Sequence, residues 1–97
     1  MLEHIVLFRW KAATNPATEE RIMQELLNLK GLIPEIIDIS AGRNISERSR
    51  GYTHGIVVRF RDSQSLDAYQ VHAEHQRVVK EWVRPHLEDI LAVDYEF

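Results

Sequence analysis

Apolar residues along this chain change their period several times, and each change marks an element. Residues 3–11 (E-H-I-V-L-F-R-W-K) are rich in β-branched and aromatic types, and Ile5 to Phe8 is apolar without a break. A strand covered on both faces has that pattern. T-N-P follows, with Asn15 suited to a helix cap and Pro16 to a first helical turn. Ile22, Met23, Leu26, Leu27 and Leu29 then recur at helical spacing, Gly31 suits the helix end, and Pro34 forbids continuation. Residues 36–42 read as a second strand, residues 43–51 as a polar loop, and residues 52–61 as a third strand. Asp62 or Ser63 caps the next helix, with Leu66 and Tyr69 on its inner stripe. A further helical segment starts near residue 74, with Val78, Val79, Trp82, Val83 and Leu87 as its apolar face. Pro85 kinks that segment or tightens its end, and I-L-A-V-D-Y-E-F closes the chain as a fourth strand.

The order β-α-β-β-α-β is the split pattern of a ferredoxin-like α+β domain, with one four-stranded antiparallel-type sheet and helices on one face. Helices cover only that face, yet the strands look apolar on both. A second copy of the same sheet is the simplest cover, so a homodimer, a dimeric α/β barrel, is expected. The 97 residues suffice for one domain, 1–97.

Composition narrows the function classes. A net charge of -3, with no basic stripe beyond Arg43, Arg48 and Arg50, argues against nucleic-acid binding. No cysteine is present, which removes disulfides, thiolate chemistry and Cys-ligated zinc. The N-terminal apolar run stops at Arg9, too short for a signal-peptide core or a membrane span. A cytoplasmic protein without a membrane partner is expected.

Against this background Y-Q-V-H-A-E-H-Q stands out, because Tyr69, His72 and His75 recur every three residues. Alternation puts His4 on a face with Val6, Phe8 and Trp10, and His54 on one with Tyr52, Ile56, Val58 and Phe60. Read as parallel neighbours, strands one and three place His4 and His54 side by side at one end of the sheet. The third strand rises about 20 Å from His54 to Phe60. The helix from Ser63 descends about 18 Å to His75. His4, His54 and His75 are therefore expected to converge beneath the helix, with Tyr69 higher on the same stripe.

The blocks "HIVLFRWK", "GRNISERSRGYTHGIVVRFRD", "LDAYQVHAEHQRVV" and "LAVDYEF" resemble the stress-responsive dimeric α/β-barrel (Dabb) family over nearly the whole chain. GYTHG and Y-x-x-H-x-x-H carry the likeness most specifically. The resemblance implies the ferredoxin-like dimer inferred above. Some members, of the olivetolic acid cyclase type, close a linear polyketide by aldol chemistry with a helix tyrosine and histidine as acid/base pair. By this match Tyr69 and His75 are the catalytic candidates, and His4 and His54 are pocket-wall groups. Ala73 stands where members often have proline, which would let the helix run on and reorient His75.

Each feature also has a plainer reading. His4 and His54 on apolar strand faces can be satisfied core histidines rather than pocket groups. With Val6, Phe8, Ile56 and His72 they make up the candidate substrate-binding set, His72 being the weakest as a surface or helix-end residue. H-x-x-H also has metal-ligand spacing, but no H-E-x-x-H or Cys accompanies it, so no metal and no cofactor are expected. The arginine loop reads as a solvated hairpin connection, or as a lid offering arginine to an anionic ligand. Two function classes remain open. One is a dimer with a pocket for a small hydrophobic or aromatic carbonyl ligand and no assigned reaction. The other is a cofactor-free cyclase-, lyase- or isomerase-like enzyme using Tyr69 and His75.

Overall fold

The computed structural model describes all 97 residues. Strand β1 (Leu2–Trp10) buries Leu2, His4, Val6, Phe8 and Trp10 on the helix side and leaves Ile5, Leu7 and Arg9 half-buried on the other. Helix α1 (Pro16–Leu27) starts where expected: the Asn15 side chain accepts a hydrogen bond from the Thr18 amide at 2.8 Å, and Pro16 occupies the first turn. Asn15→Ala should cost about 1 kcal/mol. For a domain this small that lowers the melting temperature by about 4–8 °C, measurable by calorimetry. A 3₁₀ turn (Asn28–Gly31) ends the helix, and Ile33 and Ile36 are buried in the connection that follows.

Strand β2 (Asp38–Arg43) begins two residues later than its apolar pattern suggests, because Ile36 turns into the core before pairing starts. Strand β3 (His54–Phe60) follows, then helix α2 (Ser63–Val71), capped by Asp62 accepting from the Ser65 amide at 2.9 Å. Helix α3 (Ala73–Val78) continues into a π turn (Val79–Val83) and a 3₁₀ turn (Arg84–His86). Strand β4 (Leu87–Glu96) closes the chain. No helix is long and apolar enough to cross a membrane.

The four strands lie in the order β2-β3-β1-β4, with every neighbouring pair antiparallel. This is the ferredoxin-like fold, and it corrects the parallel reading of β1 and β3. The α1 crossover returns the chain so that β2 runs with β1. The hairpin then reverses β3. His4 therefore lies opposite Val58, and His54 opposite Phe8. Four residues of strand, roughly 13 Å, separate the two histidines along the sheet.

Paired residues share a face, so the register assigns both sides of the sheet. The helix side holds one cluster of 17 buried apolar residues. The open side carries Ile5, Leu7, Val57, Leu91, Val93 and Tyr95. Leu91, Val93 and Tyr95 are each about half exposed there. Glu3 shares this open face yet is buried, held by the Arg59 guanidinium through Oε1. Its second oxygen, Oε2, is buried with no partner.

Candidate functional site

Between the helices and one half of the sheet lies a cavity of about 360 Å³, within the usual range of small-molecule sites. β1 contributes His4, Val6 and Phe8; β3 contributes Ile56; α1 contributes Leu26. Tyr69, Gln70, His75, Val79, Val83 and Arg84 come from the second helical unit, and Leu87, Ile90 and Ala92 from β4 and its entry. Ten of the 14 lining residues are hydrophobic, so the few polar groups are embedded in an apolar wall. A larger depression, about 440 Å³, is a shallow dish on the open face; its lining includes Leu7, Gly42, Gly55 and Val57, and Arg43 is its one charged group.

Tyr69, His75 and His4 meet at one end of the cavity. The Tyr69 ring lies 4.3 Å from the His75 ring and 6.1 Å from that of His4, centroid to centroid, with Phe60 packed at 5.0 Å. They meet because the helix breaks between them. His72 takes an extended conformation (φ -62°, ψ 136°), and its Nδ1 accepts from the Glu74 amide at 3.1 Å as an N-cap does. The separate helical segment expected from about residue 74 is present, and the uninterrupted run that Ala73 would permit is not: the cap, not a proline, ends α2. Without the break His75 would have travelled down the sheet; with it, the ring stays beside Tyr69.

The hydrogen bonds fix the tautomers. His75 Nδ1 lies 3.2 Å from the Gln70 carbonyl, which can only accept, so Nδ1 carries the proton and Nε2 keeps a free lone pair. Burial holds the His75 pKa below the ordinary histidine value. The Gln70 contact opposes that shift, and His4 and His72 add to it slightly. Burial alone pushes the Tyr69 phenol far up, with no internal hydrogen bond contributing. At neutral pH the pair is thus a neutral imidazole beside a neutral phenol, one able to accept a proton and the other to donate a hydrogen bond. His4 presents Nδ1 to the Asp94 carboxylate, its neighbour on β4. That contact orients the ring and is a partner the sequence did not reveal.

His54 does not join this group. It is fully buried at the other end of the sheet. Trp10 Nε1 donates to its Nδ1 at 3.1 Å, which leaves Nε2 facing Glu20 at 3.4 Å. The expected convergence of His4, His54 and His75 fails for His54 because β3 runs opposite to β1. His72 also lies outside the cavity lining, spent as a cap. No three His, Asp or Glu side chains are grouped as a metal ion requires. None of Arg43, Arg48 and Arg50 reaches the cavity; Arg84 does.

The chain is 35% identical over 99 residues to a stress-response A/B barrel domain-containing protein of Arabidopsis thaliana, covering 98% of this chain and 36% of that protein. It therefore spans about a third of that relative's length. It is 25% identical over 76 residues to olivetolic acid cyclase of Cannabis sativa, covering 76% of this chain and 75% of the cyclase. Among solved structures, an Arabidopsis thaliana protein superposes with a TM-score of 0.91 at 23% identity, over 100% of this chain and 95% of the other. A Thermobifida fusca protein described as a dimeric ferredoxin-like protein of unknown function gives 0.86 at 27% identity, over 99% and 90%. The pattern that defines the family described as Stress responsive A/B Barrel Domain matches residues 2–97, and this chain belongs to that family.

Proposed function

We propose that this chain works as a cytoplasmic homodimer in which the cavity beneath Tyr69 and His75 binds a small, largely apolar molecule bearing a carbonyl group. The geometry at the cavity's polar end carries this reading. One phenol and two oriented imidazoles sit in a wall that is otherwise almost wholly apolar, an arrangement that seats an apolar body and fixes one polar atom. Self-association is supported by the apolar open face and by the dimeric description of the Thermobifida fusca relative.

One observation favours a second, stronger reading, in which the pocket does chemistry. The Gln70 carbonyl holds the proton on His75 Nδ1 and leaves Nε2 as a base, while Tyr69 remains a neutral donor. Such a pair can take a proton from carbon beside a carbonyl while the phenol donates a hydrogen bond to the enolate oxygen that develops. No cofactor enters that step. The resemblance to a cyclase supports it, though a shared fold does not supply the substrate.

Methyl octyl ketone tests the binding reading. Titrated into isotope-labelled protein, it should shift the NMR signals of His4, Tyr69 and His75 together and leave those of His54 and His72 in place. Shifts confined to open-face residues such as Leu91 and Val93 would refute the pocket.

A further inference from the structure

Arg84 is the only residue lining the cavity that carries a permanent charge, and no carboxylate lines it. Its guanidinium forms no ion pair within the chain, whereas Arg9, Arg21, Arg59, Arg61 and Arg77 all do. Its position is the work of the π turn. The Arg84 amide donates to the Val79 carbonyl, five residues back. One such turn brings Arg84 over Val79, another lining residue. In an α-helix of 3.6 residues per turn, five steps would leave Arg84 about 140° around the axis, away from the cavity. Pro85 gives the reason. It has no amide to donate and its ring would strike the carbonyl of Glu81 in a regular helix, so the backbone widens just before it.

The charge stands at the far end from the acid/base group. Leu87 pairs with Trp10, and the Lys11 amide donates to the His86 carbonyl, so the 84–86 turn sits at the Trp10 end of β1. His4 occupies the other end. Two independent paths give the same span. From His4 to Phe8, four strand residues cover roughly 13 Å. From His75 to Arg84, nine helical residues also cover roughly 13 Å. Between them the wall is Val6, Ile56, Val79, Leu26 and Ala92. The cavity is thus polar at one end, apolar along its length and cationic at the other.

Building on the pocket reading above, we infer that the ligand is an organic anion: an apolar chain or ring system with its carbonyl at Tyr69 and His75 and a carboxylate at Arg84. The single cation, unopposed by any carboxylate in the lining, attracts such a head group. A planar guanidinium can hold it through two parallel hydrogen bonds.

Two probes separate this inference from the reading it rests on. One is decanoate carrying a ketone next to its terminal methyl. The other is methyl octyl ketone, which has the same carbonyl end and no carboxylate. By titration calorimetry the oxo acid should bind the wild type at least tenfold more tightly than the ketone. Arg84→Gln should remove that advantage and leave ketone affinity unchanged. Arg84→Lys should restore part of it, because it keeps the charge and loses the fork. His75→Ala should weaken both probes alike. If Arg84→Gln weakens the two probes equally, or leaves the acid's advantage intact, the anion inference is overturned while the pocket stands. If neither probe binds the wild type, both fall.

Discussion

His75→Ala should abolish exchange of the protons beside the carbonyl of methyl octyl ketone while leaving the protein folded. The assay is deuterium uptake in heavy water, followed by NMR. A positioned general base contributes about 10²–10⁴-fold, so the catalysed rate should fall by that factor. Tyr69→Phe keeps the ring that packs on Phe60 and removes only the donor, and a lost oxyanion donor costs about 10²–10³-fold. The pH dependence has a definite sign. His75 acts as base only when neutral, and burial lowers its pKa. The rate should therefore be flat at neutral pH and fall only as acidity takes the solution below the ordinary histidine value of about 6.5. Tyr69, pushed up by burial, adds no alkaline limb near neutrality. Stability follows the same group. Below about 6.5 the unfolded chain takes up a proton that folded His75 resists, so folding weakens as pH drops from there through the lowered pKa. An exchange rate that rises on acidification, or one unaffected by both substitutions, would remove proton transfer from the account and leave binding alone.

Leu91→Arg should convert the protein from a dimer to a monomer. In sedimentation at micromolar concentration the wild type should run near twice the 11.4 kDa chain mass, and the variant at the chain mass. Leu91 sits opposite Leu7 on the open face, between Val93 and the half-buried β1 side chains. Facing a second sheet, its side chain would be enclosed in apolar surroundings. An unpaired buried charge costs about 3–5 kcal/mol, which weakens association by roughly two to three and a half orders of magnitude. In the monomer Leu91 is about half exposed, so the charge should reach water and the helix-side core should survive. A wild type that sediments as a monomer, or a Leu91→Arg variant that remains a full dimer, would take the two-sheet packing out of this account.

Much of the fold was written in local pattern. Asn15-Pro16 and Asp62 open helices because a side-chain oxygen before the first turn satisfies a free amide, and the structure shows both bonds. Period-two burial along Leu2–Trp10 and His54–Phe60 follows from the pleat, which puts alternate residues on opposite faces. The three titratable groups Tyr69, His72 and His75 marked the right stretch of chain, but only the family resemblance paired Tyr69 with His75, since helical spacing alone would separate them around the axis.

What the sequence left undecided was direction and rotation. Residues show which face of a strand is apolar, but not which way its neighbour runs. The hairpin's reversal of β3 decided that His54 would be a core histidine bonded to Trp10 rather than a third pocket group. Asp94 reached His4 only through the β1–β4 register, across 90 residues of chain. Two sub-turn details completed the cavity. The His72 cap bends the chain so that His75 meets Tyr69, and the π turn before Pro85 sets the exposed Arg84 at the rim of the cavity. Periodicity fixes which residues are apolar because burial is a local preference. Which polar atoms meet depends on register and on the angle of a single turn, and those are set by the packing of whole elements against one another.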